Sequence, residues 1–230
     1  METGIWTDLN ILLFGNDKVG KTSIGNLILN YVGLANANFR NETGDPVCNS
    51  AITEDFPGKL ITVIDTPGFG RYRRRVTEAI KQKKDEFSSR SGAFSVLFIV
   101  RANRVSDREC SESIQSFEEV FGRQFSGRTI VVVTHSNEVR GNIDVENFVG
   151  SCGTQLKNFI RKHKLRVYFA DIFTTNSDFR KLQVKNLISM IESEDNTESW
   201  SFLSLSAAAA AATTAVVAGI ALVAIYVAKQ

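Results

Sequence analysis

Residues Gly15, Asn16, Asp17, Lys18, Val19, Gly20, Lys21 and Thr22 spell G-x-x-x-x-G-K-T, a spacing whose chemistry is the cradling of phosphate oxygens. Its two glycines let the backbone curl so that successive N–H groups converge on one anion. The Lys21 ammonium would reach the β- and γ-phosphates, and the Thr22 hydroxyl would ligate Mg2+, with Ser23 completing the run. A second candidate is Asp65-Thr66-Pro67-Gly68. An aspartate emerging from an apolar run can hold Mg2+ through a water, and a glycine three residues on can offer its N–H to a γ-phosphate. Alone, D-x-x-G arises often by chance. One apolar run after a phosphate loop, it points to a segment that lets go when the γ-phosphate is lost, turning chemistry into shape.

Both motifs need particular elements around them, since a phosphate loop works only between a strand and a helix. Residues 9–14 form an apolar run that reads as that strand, and residues 22–31 read as that helix, presenting its positive end to the anion. Further short, β-rich runs at 60–64, 94–100, 129–134 and 165–170 alternate with amphipathic stretches at 75–88, 109–121, 145–163 and 177–194. The alternation predicts an α/β fold of the P-loop NTPase (G-domain) kind: a three-layer sandwich on a mostly parallel sheet, with ligands at the carboxyl ends of the strands.

The composition bounds what surrounds this core. A chain of 230 residues, 43% hydrophobic and 23% charged, supports one full core and one appendage. A formal net charge of +2 gives no bulk attraction for nucleic acid, so none is expected as a partner. Cys48, Cys110 and Cys152 are far apart and lack C-x-x-C or histidine spacing, which implies neither a disulfide framework nor zinc and fits a reduced cytosolic compartment. The first residues lack a basic n-region and a long apolar core, which argues against a secretory signal.

Residues 199–228 carry no charge, and 207–227 are almost wholly Ala, Val, Ile, Leu and Thr. About 20 such residues in a helix span the ~30 Å hydrocarbon layer. Tyr226 and Lys229 stand where an interfacial ring and a snorkelling cation belong. An Ala-rich helix packed on the domain would show a polar stripe at helical spacing, and none is present. The expected organisation is a G domain at 8–195, a linker at 196–205 and a transmembrane anchor at 206–228, inserted after synthesis so that the body faces the cytosol from an intracellular membrane.

Lys21-Thr22-Ser23-Ile24-Gly25-Asn26-Leu27-Ile28-Leu29 and Asp65-Thr66-Pro67-Gly68-Phe69 resemble the GTPases of immunity-associated proteins, in which the phosphate loop is followed by a G-N-x-I/L-L signature. The family's conserved box has a counterpart in residues 96–106 followed by Glu119-Val120-Phe121-Gly122, and the likeness spans roughly residues 10 to 171. Septins and GTPases of the chloroplast outer envelope share the domain type; Gly25-Asn26 favours the immunity-associated group. The resemblance implies GTP or GDP with Mg2+, held by Thr22 and Asp65, and dimers across the nucleotide faces. It also implies an arginine from the conserved box, here Arg104, acting on the partner's phosphates. A loop arginine beside Arg101 and Arg108 that is merely solvated is the other reading of Arg104.

The chain departs from this pattern where a base would be read. In Thr134-His135-Ser136-Asn137 the family's aspartate is replaced by Asn137, which offers one carbonyl and two donors instead of a carboxylate, while His135 would still pack on the base. Asp171 stands where the family usually has asparagine. Either the two positions have exchanged acid and amide, or specificity has loosened. Cys48 occupies the approximate place of a Mg2+-binding threonine, and a thiol is a poor ligand for that hard cation; Ser50 or Thr53 would substitute after a shift of the loop. Phe69 stands where Ras-like enzymes hold a water-orienting glutamine, so slow hydrolysis is expected. The basic run Arg71, Arg73, Arg74, Arg75, Lys81, Lys83 and Lys84 reads either as a site for anionic lipid or as a solvated helix face. The expectation is a membrane-anchored, slowly hydrolysing G domain that assembles with copies of itself; a hydrolysis-dead adaptor stands second, and a P-loop ATPase or kinase third.

Overall fold

A computed structural model describes residues 7–31, 49–53, 59–69, 73–88, 93–136 and 144–193. Its sheet contains β1 (Thr7–Phe14), β2 (Asn49–Thr53), β3 (Lys59–Asp65), β4 (Ala93–Arg101), β5 (Thr129–Thr134) and β6 (Arg166–Ala170), in the order β2-β3-β1-β4-β5-β6. All neighbours run parallel except β2, which lies antiparallel on β3 at the edge. The helices are α1 (Lys21–Leu29), α2 (Arg73–Ser88), α3 (Asp107–Phe121), α4 (Val145–Ser151), α5 (Thr154–Lys162) and α6 (Ser177–Glu192).

Strict alternation along the strands builds two cores, because successive side chains point to opposite faces. On one face Leu9, Ile11 and Leu13 of β1, Ile61 and Val63 of β3 and Leu97 and Ile99 of β4 pack with Ile24 and Ile28 of α1 and Val184 and Leu187 of α6. On the other, Leu12 and Phe14, Phe98 and Val100, and Val131 and Val133 pack with Val76 of α2, Phe117 and Phe121 of α3 and Leu156 and Phe159 of α5. The central strands are covered on both sides and therefore read as near-continuous apolar runs. This is the expected three-layer α/β arrangement.

The stretch expected as one helix at 145–163 is two, broken at Cys152 and Gly153. The cause is distant in sequence. Gly153 donates its N–H to the Val105 carbonyl at 2.8 Å, and the Asp107 carboxylate accepts from the Gln155 N–H at 2.6 Å, capping α5 from the start of α3. The edge strand β2 was not anticipated; its five residues lack the apolar run that marked the others.

Much of the basic run on α2 is spent on α3. Arg73 donates to the Ser116 hydroxyl at 3.0 Å, Lys81 pairs with Glu119 at 2.9 Å and Lys84 donates to the Val120 carbonyl at 3.0 Å. Lys83 pairs with Glu86 and Arg74 with Glu78 along the helix itself. Arg71 lies outside the described residues, as do the linker at 196–205 and the expected anchor at 206–228. Among the described residues no helix is long and apolar enough to cross a membrane.

Candidate functional site

β1 delivers the chain to Gly15, whose φ of 147° is open to glycine alone among common residues; a Cβ there would lie 2.3 Å from the Ile99 carbonyl oxygen of β4. The loop then passes Lys18 at φ 58° and returns to Gly20 at φ 96°, the N-cap of α1. No side chain caps this helix and no acidic residue lies in its first turn, so its leading N–H groups stay available to an anion. Lys21 is 6% exposed and donates to the carbonyls of Gly15 at 3.1 Å and Asn16 at 2.6 Å, bending back over the loop. Burial pulls its pKa down to about 8, against the opposing pull of Asp65 and Asp17. A desolvated ammonium on a loop that leads into an uncapped helix N-terminus suits a multiply charged anion.

Asp65 ends β3 beside this loop. Its Oδ2 accepts from the Thr22 hydroxyl at 2.6 Å, whereas its buried Oδ1 has no hydrogen-bonding partner. Burial raises the carboxyl's pKa, partly offset by the Thr22 hydroxyl, Lys21 and the Thr66 N–H. Among the described residues no group of three or more His, Cys, Asp or Glu could hold a metal unaided. A hydroxyl and an unsatisfied carboxylate oxygen next to a phosphate cradle instead fit Mg2+, which takes one or two protein oxygens and completes its shell with phosphate and water. Thr22 and Asp65 would hold that ion, and it would neutralise charge between the phosphates.

The segment after β3 is fitted to the loop. The Thr66 hydroxyl donates to the Leu13 carbonyl at 2.6 Å, and a Cβ on Gly68 would lie 1.9 Å from Asp17 Oδ1 and 2.6 Å from its Cα. Phe69 forms an isolated bridge with Asn16 and is 4% exposed, its ring 4.8 Å from that of Phe14. It is a core residue and orients no water. The register of β2 also decides one expectation about the Mg2+ ligand. Thr53 pairs with Ile61, roughly 13 Å along β3 from Asp65, too far to substitute, whereas Ser50 pairs with Ile64. Cys48 lies outside the described residues.

The base-reading candidates converge from β5 and β6. The Thr134 hydroxyl donates to the Val19 carbonyl of the phosphate loop at 2.6 Å, and His135, at φ 57° and 8% exposed, places Nδ1 3.0 Å from that hydroxyl oxygen. Since the hydroxyl proton is committed to a carbonyl, Nδ1 is the donor. Asp171 Oδ1 accepts from the N–H groups of Phe173 at 2.9 Å and Thr174 at 3.2 Å, so half of the carboxylate offered as a base reader is built into its own turn. Gln183 of α6, which sequence reasoning missed, brackets Asp171 by bonding both its N–H and its carbonyl. No local motif marks Gln183, because the contact crosses from helix to loop. Asn137 lies outside the described residues. Arg104 is not loose: its Nε donates to Glu109 at 2.9 Å, and Asn16 of the phosphate loop donates its side-chain amide to the Glu109 backbone carbonyl. The Arg104 guanidinium and the Ser106 hydroxyl hold the Glu109 carboxyl below the usual glutamate range.

The sequence model of the AIG1 family matches residues 9–209. Among solved structures the fold is similar to Toc33 from Arabidopsis thaliana in complex with GDP and Mg2+, at 20% identity and TM-score 0.59 over 80% of this chain and 83% of that one. A dimerisation-deficient Toc33 variant, with one arginine replaced by alanine, matches at 18% identity and TM-score 0.61 over 80% and 83%. A structure of the chloroplast translocon components atToc33 and psToc159, for whose GTPase activity dimerisation is important, matches at 16% identity and TM-score 0.58 over 84% and 85%. These likenesses establish that the chain shares the fold of the Toc33 domain.

Proposed function

The chain belongs to the AIG1 family, and on that premise we propose that it binds GTP and GDP with Mg2+, pairs with a second copy across the nucleotide face and hydrolyses GTP slowly until it does. The observation that carries the reading is the joint arrangement of Lys21, Thr22 and Asp65: a buried ammonium on the loop, a hydroxyl on the carboxylate, and one carboxylate oxygen left open. The similarly folded Toc33 is solved with GDP and Mg2+, and dimerisation is important for the GTPase activity of atToc33 and psToc159. Within the family, Gly25-Asn26 supports the immunity-associated branch. The N–H groups of the loop and of Gly68 would orient the phosphates, and Lys21 would spread their charge. Thr22 and Asp65 would fix the metal, and Mg2+ would supply the neutralisation of the leaving phosphate. The burial of Phe69 supports slow turnover in the single copy, and it equally favours the second reading, a nucleotide-binding scaffold without hydrolysis.

Calorimetric titration of the purified chain with GTP, GDP and ATP, with and without Mg2+, tests the reading. GTP and GDP are expected to bind in a Mg2+-dependent manner and Lys21→Ala to abolish it; ATP bound in preference to GTP would reject it. The uncharged stretch at 206–228 supports attachment to the cytosolic face of an intracellular membrane. Deleting 206–230 is expected to move the protein to the soluble fraction, and unchanged fractionation would reject the anchor.

A further inference from the structure

Phe173 is 54% exposed, one of two large hydrophobic side chains so placed among the described residues. Its position is built rather than incidental. The Asp171 carboxylate clamps the Phe173 and Thr174 N–H groups, and Gln183 clamps the Asp171 backbone, so the turn carrying the ring is fixed at both levels. The ring meets His135 edge to face, with centroids 4.9 Å apart and planes at 82°. His135 is tied through the Thr134 hydroxyl to Val19 of the phosphate loop. Ile172, the residue before Phe173, packs on that loop as well: a Cβ added to Gly20 would lie 3.3 Å from its Cδ1. An apolar ring is therefore held in the open at the carboxyl ends of β5 and β6, beside the cradle formed by residues 15–22.

We propose that Phe173 is a nucleobase platform: its exposed face stacks on the base of a nucleoside triphosphate whose phosphates lie on residues 15–22. This rests on the nucleotide-binding reading above and adds how the base is held. Asp171 spends Oδ1 on its own turn, and position 137 carries an amide in place of a carboxylate, so hydrogen bonding to the base edge is weakly provided for. Stacking fills that gap. Every base has a π-face, so an aromatic platform supplies affinity without choosing among bases. The predicted result is a chain whose grip on purine triphosphates is broad.

The full-length protein, in detergent, is titrated with 2-aminopurine riboside triphosphate, whose fluorescence is quenched on stacking, and by calorimetry with GTP, ITP and ATP. Wild type is expected to quench the probe. Phe173→Ala is expected to lose most of the quench and to weaken all three triphosphates by a similar factor, on the order of tenfold. Phe173→Trp restores both, and the melting temperature of Phe173→Ala is expected to fall by no more than about 5 °C, the loss of one half-exposed ring and its edge-to-face contact with His135. If wild type binds GTP and Lys21→Ala does not, yet Phe173→Ala binds and quenches like wild type, the platform is overturned and the ring belongs to a protein contact. If wild type binds no nucleotide, the underlying reading fails and the platform with it.

Discussion

Gly68 shows at the scale of one residue how the site depends on close approach. A methyl group there would fall 1.9 Å from Asp17 Oδ1, which can swing away, but also 2.6 Å from Asp17 Cα, which cannot. Gly68→Ala must therefore part the turn after β3 from the phosphate loop. We expect GTP affinity to drop by more than about tenfold, since the Gly68 N–H, proposed to meet the γ-phosphate, moves with the turn. GDP affinity, which needs no such contact, is expected to fall less. Calorimetry with both nucleotides checks this, and equal losses would show that the whole loop had collapsed. The glycines and Lys21 were legible in the sequence because their chemistry fixes residue type at fixed spacing. Gln183 and the Asp171 turn were not, since a side-chain amide bracketing a distant backbone leaves no local pattern.

Among elements, strands and helices of the sandwich announced themselves through alternation and amphipathic spacing, and the expected strand at 129–134 coincides with β5. What escaped was set by contacts between elements. β2 owes its existence to pairing with β3 rather than to its own propensity. The break between α4 and α5 owes its place to the start of α3: a Cβ on Gly153 would lie 2.6 Å from the Asp107 N–H nitrogen. Gly153→Ala would gain helix propensity locally and so extend α4 toward α5 in isolation. In the folded protein it must push α5 off α3 and strain the cap that Asp107 gives Gln155. The steric term wins, and a loss of about 1–3 kcal/mol is expected by urea denaturation. A stability equal to wild type would show that the α3–α5 seam yields at no cost. The seam also carries Glu118, which meets Lys162 at 2.8 Å and His163 at 3.4 Å, so a displaced α5 loses these as well.

For the whole molecule the decisive matter is where Arg104 is spent. In one copy its guanidinium lies on Glu109, while the Glu109 backbone carbonyl receives the Asn16 amide of the phosphate loop. The conserved-box loop and the phosphate loop are thus joined through one glutamate, on the face where the proposed dimer would form. The Arg104–Glu109 pair is partly exposed, with side chains 41% and 32% accessible, so it is worth at most about 1 kcal/mol and yields to a better anion. A partner's triphosphate, with several charges in a site closed to water, is such an anion. Turnover per molecule is accordingly expected to rise with protein concentration in wild type. In Arg104→Ala it is expected to stay at the low level of the isolated copy, with GTP affinity within about twofold of wild type, because in its own copy the Arg104 guanidinium is bonded to Glu109. Glu109→Gln separates release from catalysis: it frees Arg104 while keeping the backbone carbonyl for Asn16, so the rise with concentration should begin at lower protein levels. A wild-type rate that stays flat with concentration, with nucleotide bound, would assign the fold to scaffolding alone.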